Sequence, residues 1–264
     1  MTIAWHILAA GASFLVLFAM FRPLELAFPA RPGQRFFRPR WTTDLCFLLG
    51  QYLLFNGAVF WVLAKLSPWI RAATPEIVRE FVGSMNAVAQ LALVVLLGDF
   101  LIYWGHRLQH RVDFLWRFHC IHHSAEHLDW LAAHREHPVD SLYTILIVNL
   151  PVFALGFPIG ALAYFAAFRG LWAILIHANV RFPLPGSLRV LIGAPELHHW
   201  HHDRDRDAGN YANVSPLMDV LFRTYHCPDH EPESLGVNEP VSKSYLGQLL
   251  HPFRRRRRDA VHSA

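Results

Sequence analysis

Four of the five residues from His198 to His202 are histidines, interrupted only by Trp200. Packing does not ask for such a run, and neutral imidazole is the commonest metal ligand among side chains. On a helix, positions i, i+3 and i+4 share a face. His198, His201 and His202 can therefore converge on one point, with Trp200 turned away and His199 left as a bystander. The fold must then bring other donors to that point. The chain holds an HxxxH, His106 and His110, and a second HxxHH, formed by His119, His122 and His123. Fifteen of the 18 histidines lie between His106 and His230. His6, His251 and His262 are expected to be ordinary, and His127, His134, His226 and His230 to lie at the surface or behind the ligands.

Between the clusters runs an apolar block, Leu142 to Ile176, broken at Gly156-Phe157-Pro158, a strong turn signal. It reads as a helical hairpin, Leu142 to Leu155 and Ile159 to Ile176, whose first arm contains Pro151 and is tilted or only partly inserted. Three more apolar stretches come earlier: Ile3 to Phe21, Leu45 to Leu66 and Val88 to Tyr103. About 20 such residues cross a hydrocarbon core. Composition agrees: 53% of residues are hydrophobic and 17% charged, against roughly 25% charged in ordinary globular domains, and the mean hydropathy is +0.23. The first stretch lacks a basic flank and a small-residue cleavage site, so it reads as a retained helix.

The expected fold is an all-α integral membrane protein, a bundle of about four to five transmembrane helices under a cytosolic histidine-rich helical cap. Three regions follow. Residues 1–93 carry N-terminal helices and loops, with Ser67 to Met85 a short loop or interfacial helix. Residues 94–226 hold the histidine clusters and the hairpin at 142–176. Residues 227–264 form a polar tail that includes Arg254 to Arg258.

Orientation is read from arginines in short loops. The first loop carries Arg22, Arg31, Arg35, Arg38 and Arg40, the second only Arg71 and Arg79. The histidine segments and the C-terminus then fall on the cytoplasmic face, of the inner membrane if the source is bacterial. The net charge of +4 fits anionic headgroups, and no nucleic-acid partner is expected. Cys46, Cys120 and Cys227 are far apart and form neither a disulfide framework nor a thiolate zinc site.

Eight clustered imidazoles exceed the needs of one metal and point to two. A nitrogen-rich donor set suits iron, copper or zinc better than magnesium or calcium. Carboxylates that could orient the imidazoles are Asp99, Glu126, Asp129, Glu136, Glu196 and Asp219.

The motifs carry a resemblance. They are Asp99 to Arg107 with His110, His119 to His123, Arg135-Glu136-His137-Pro138, His177-Ala178-Asn179, Pro195-Glu196-Leu197 with His198 to His202, Asn210-Tyr211, and Asp219 to Tyr225. In order and spacing these resemble the fatty acid hydroxylase and sterol desaturase superfamily, over Val94 to Tyr225. The resemblance implies two non-haem irons, oxygen as co-substrate, and hydroxylation or desaturation of a C–H bond in a membrane lipid, whether fatty acyl, sterol or related isoprenoid. It implies His106, His110, His119, His122, His123, His198, His201 and His202 as ligands, with His137 and His177 as additional ones. Asp99, Asn179, Glu196, Asn210 and Asp219 would support them. Two positions depart from the family pattern: Ala212 and Arg223 stand where glycine is usual.

Such chemistry draws on an external electron donor, because the chain has no dinucleotide-binding glycine fingerprint. A ferredoxin, rubredoxin or cytochrome b5-like protein is expected, docked on the arginine-rich face. The alternatives are weaker. A zinc-dependent membrane hydrolase would want a general base beside the metal, and there is no HExxH. A metal transporter or haem cytochrome would place its histidines within the spans.

Overall fold

The computed structural model describes residues 3–157, 159–182 and 184–254. Pro158 of the hairpin turn, most of the arginine run and His262 lie outside the described residues. Among the described residues the regular elements are helical, with only two isolated β-bridges, Pro29–Val180 and Asp203–Leu235.

Helix α1 (Ile3–Ala27) is followed by the arginine-rich loop. Helix α2 (Trp41–Gly50) passes through a π turn, Gln51–Phe55, into α3 (Asn56–Ala73), so the second expected span is one kinked helical stretch. Helix α4 (Glu76–Ser84) buries Val82 and exposes Ile77 and Phe81, as an interfacial helix would. Asn86 starts α5 (Ala87–Arg111), its side chain accepting from the Ala89 amide at 2.9 Å. An extended residue, Val112, turns the chain into α6 (Asp113–His123). The apolar hairpin is α7 (Pro138–Ala154) and α8 (Ile159–His177). Four short helices complete the chain: α9 (Gly186–Arg189), α10 (Pro195–His201), α11 (Leu217–Leu221) and α12 (Tyr245–Leu249).

Helices α1 and α5 are each long and apolar enough to cross a membrane, while α7 and the end of α8 are shorter apolar helices. Leu8 and Leu15 on α1 and Leu96 on α5 face outward. Inside, Val94 and Ile102 of α5 meet Val148 and Val152 of α7 and Phe165 of α8. A second core joins Leu17 and Phe21 of α1 to Leu48, Trp130, Leu131 and Val180. The segment after residue 226 is packed rather than trailing: Val237, Val241, Tyr245 and Leu249 cover Phe47, Trp116, Cys120 and Ile121.

The first loop lies against the histidine segments. Arg38, only 3% exposed, grips Asp129 with two hydrogen bonds of 2.6 and 2.7 Å and reaches Asp44 at 2.7 Å. Asp44 also holds Arg135 at 2.5 Å. A charge count treats all five loop arginines as markers of a membrane side; Arg38 is instead the centre of a buried ion-pair network.

Candidate metal centre

Nine imidazoles converge in two neighbouring groups. His106, His110, His119, His123 and His201 form one, and His122, His177, His198 and His202 the other; within each, the ligand nitrogens lie within 4.8 Å of one another. The groups share a wall, where His123 stacks on His202 with ring centroids 4.3 Å apart. His198 and His201 are likewise stacked across the boundary at 5.1 Å.

Contrary to the expectation from the sequence, His198, His201 and His202 do not meet at one point; His201 serves one group, and His198 and His202 the other. Helical geometry explains this. Each residue turns about 100°, so i and i+4 differ by about 40° while i+3 and i+4 differ by about 100°. His119 and His123 stay together, as do His198 and His202, and the i+3 member of each motif, His122 or His201, turns to the other group. Each HxxHH thus contributes to both sites, two rings to one and a single ring to the other. The HxxxH, with its i,i+4 spacing, keeps His106 and His110 in one.

The inner nitrogens are set from outside. The Nδ1 of His106 donates to the Tyr211 carbonyl at 2.9 Å, that of His122 to Arg135 at 3.1 Å, and that of His201 to Gly209 at 2.7 Å. His110 donates to the Arg206 carbonyl, and His177 to Ala173 one turn back at 2.6 Å. His119 donates to the Asp140 carboxylate at 2.9 Å. A carbonyl or carboxylate can only accept, so the proton sits on Nδ1 and Nε2 turns a lone pair inward.

Those lone pairs meet. The Nε2 atoms of His106 and His119 are 3.1 Å apart, and those of His122 and His177 are 2.9 Å apart. The Nε2 atoms of His110, His123 and His201 are buried with no partner. Facing lone pairs repel, and a buried acceptor without a donor is costly. A cation among them removes both penalties, so the residues fit metal ions. Burial first, and then the neighbouring imidazoles, hold His119, His122, His123, His198, His201 and His202 well below the ordinary imidazole range. They are neutral near pH 7, the state that binds metal.

Two further expectations need correction. His137 is in neither group. Its Nδ1 accepts from the Val139 amide at 3.1 Å and its Nε2 donates to the Leu249 carbonyl at 3.1 Å. It caps α7 at its N-terminus, ahead of Pro138, and both nitrogens are taken.

Among the described residues, none of the supporting residues named from the sequence hydrogen-bonds a ring of the two groups. Asp99 accepts from the Val214 and Ser215 amides, and Asp219 from the Tyr211 and Ala212 amides, so both anchor the loop whose Tyr211 carbonyl holds His106. Asn210 ties Leu197 to His226. Asn179 ties the end of α8 to Arg31. Glu196, wholly buried, lies 3.5 Å from Arg189, and burial pushes its carboxyl up. Of the other carboxylates, Glu126 pairs with Arg40, Asp129 with Arg38, and Glu136 accepts from Ser141.

The carboxylate that does orient an imidazole is Asp140, which also receives Gln109 at 2.6 Å. The sequence offered a signal: Asp140 is in the first turn of α7, facing back to the end of α6.

His134 is buried beside Gln51 and belongs to neither group. His226 and His230 flank Trp200, and His199 bonds Glu231 at 2.7 Å and the Ala178 carbonyl at 3.0 Å, outside both groups.

Gly209 has φ +85°, and a Cβ there would lie 2.3 Å from the Thr224 carbonyl, so only glycine presents its carbonyl to His201. Arg223 keeps a left-handed φ of +58°, a conformation glycine adopts freely, whereas Ala212 is not among the positive-φ residues.

A cavity of about 280 Å³ opens beside both groups. His106, His119, His122, His177 and His198 form one wall, and Leu101, Ile102, Ile147 and Val148 form apolar walls.

Comparison with known proteins agrees with this geometry. The fatty acid hydroxylase family profile matches residues 91–224. An ornithine lipid hydroxylase of Rhizobium tropici is 33% identical over 175 residues, 65% of this chain and 53% of that protein. Alkylglycerol monooxygenase of Homo sapiens is 34% identical over 146 residues, 54% of this chain and 32% of the relative. A very-long-chain aldehyde decarbonylase of Oryza sativa subsp. japonica is 29% identical over 139 residues, 52% of each chain. The chain thus spans about half or less of the curated relatives it matches. No solved structure matches it significantly. With the family profile covering half its length, the chain belongs to the fatty acid hydroxylase family.

Proposed function

We propose that the protein is a membrane-bound oxidoreductase that uses two irons and oxygen to hydroxylate or desaturate a C–H bond of a lipid. The observation that carries this reading is the pair of adjacent imidazole groups, their lone pairs turned inward, opening on an apolar cavity. Nine nitrogen donors, with Asp140 held outside the groups as an orienting partner, suit two irons. The names of the relatives, a lipid hydroxylase and a monooxygenase, support the same reaction class. When bound, the irons and oxygen supply the oxidant that an unactivated C–H bond requires.

The chain's own residues do the rest. Leu101, Ile102, Ile147 and Val148 exclude water and hold an aliphatic segment, at about 0.8 kcal/mol for each buried methylene. The Nδ1 hydrogen bonds orient six of the nine rings, those of His106, His110, His119, His122, His177 and His201, before metal arrives. Helices α1 and α5, the kinked α2–α3 stretch and the α7–α8 hairpin would form the bundle of four to five membrane helices, with the imidazoles at its cytoplasmic end. A ferredoxin, rubredoxin or cytochrome b5-like donor would deliver the electrons.

The test is turnover of membrane lipids by iron-loaded protein under isotopically labelled oxygen, with a ferredoxin and its reductase. A lipid that gains one labelled oxygen atom, or loses two hydrogens, is the expected product. Ester or amide hydrolysis without oxygen uptake would overturn the reading.

A further inference from the structure

Arg169 is the only Lys, Arg, Asp or Glu in α8, an otherwise apolar helix. It lines the cavity that the imidazoles wall. Its buried Nε has no hydrogen-bond partner. The carboxylate that acts on it electrostatically is Glu136, which lines the same cavity. Glu136 accepts from Ser141 at 2.7 Å, and among the described residues no ion pair joins it to Arg169.

A guanidinium among apolar helices is expensive, and in such positions marks a ligand path. Its planar fork matches two oxygens of a carboxylate or a phosphate. The helix leaves room for such a ligand. Between Arg169 and His177, the residues of α8 that line the cavity are Gly170, Ala173 and Ile176, the first two with almost no side chain. His177 lies eight positions after Arg169, about 12 Å along the axis.

We propose that Arg169 binds the anionic group of the lipid substrate, a carboxylate or a phosphate, and so fixes which C–H bond along the chain, about 12 Å from that group, is presented to the metals. This rests on the cavity being the substrate site of the oxygenase.

The test measures equilibrium lipid binding to the metal-free full-length chain in detergent, read by native mass spectrometry, alongside turnover by the iron-loaded form. Three probes are compared: an N-acyl amino acid with a free carboxylate, phosphatidylglycerol, and uncharged diacylglycerol. Arg169→Gln should weaken one anionic probe at least about 10-fold, as loss of a charged hydrogen bond does, and leave diacylglycerol within twofold. Arg169→Lys should recover part of the loss. The anionic probe that responds identifies the source, carboxylate or phosphate. Equal binding of all three probes by wild type and Arg169→Gln, or an equal loss of all three, would overturn the proposal. Arg169-dependent anion binding without oxygen-dependent turnover would keep this site and remove the oxygenase reading. Turnover of neutral lipid alone, indifferent to Arg169, would do the reverse.

Discussion

At the scale of single residues, the centre depends on which nitrogen of each ring holds the proton. Asp140 sets that choice for His119 through a 2.9 Å hydrogen bond, and Gln109 holds Asp140 in turn. Asp140→Asn should lower iron affinity about 10- to 100-fold, the usual cost of removing such a partner, measured by competition with a chelator. His137 and His177 make a sharper pair. Both were expected as additional ligands, and spacing cannot tell a ligand from a helix cap, because each lies beside a helix end. The structure separates them: His177 is inside a group, and His137 spends both nitrogens on backbone. His177→Ala should abolish stable metal loading. His137→Ala should keep the metal and lose about 1 kcal/mol of stability, the worth of an N-cap. Equal metal loss in both would restore His137 to the ligand set.

At the scale of elements, the helices were legible and their cooperation was not. Apolar runs placed α1, α5, α7 and α8, because a lipid-facing helix needs little beyond length and hydropathy. The histidine motifs were legible as candidate metal ligands from spacing. Their division between two groups was not, because it turns on the 100° between adjacent residues and on where the opposing helix sits. Five of the rings are held by backbone carbonyls, which leave no residue type to read. The arginine loop carried a second meaning as well: Arg38, Asp44, Asp129 and Arg135 lock it to the segment whose Arg135 carbonyl holds His122. Asp44→Asn removes one charge from this buried network and should cost about 3 kcal/mol, seen as a lower denaturation midpoint. Arg223 offers the opposite change. It is exposed and left-handed at φ +58°, so Arg223→Gly should stabilise the protein by about 1 kcal/mol.

At the scale of the whole molecule, gathering so many neutral imidazoles makes the metal part of the fold. His119, His122, His123, His198, His201 and His202 are depressed by burial, so in acid the unfolded chain takes up protons that the folded chain refuses. Stability is then full above the unfolded imidazole pKa of about 6.5 and falls as pH drops below it, by about 1.4 kcal/mol per pH unit for each ring. Metal-free protein should lose its cap between pH 6.5 and 5, while bound metal, competing with protons, should carry the transition to lower pH. Circular dichroism of both forms across that range checks the sign, and a metal-free form equally stable at pH 5 and 7.5 would refute it. The central claim is that nine imidazoles hold two irons side by side. Metal analysis with Mössbauer spectroscopy on detergent-purified protein from iron-57-enriched cells tests it most directly. The account predicts two iron atoms per chain in a coupled pair; one metal per chain, or zinc in both groups of the active protein, would contradict it.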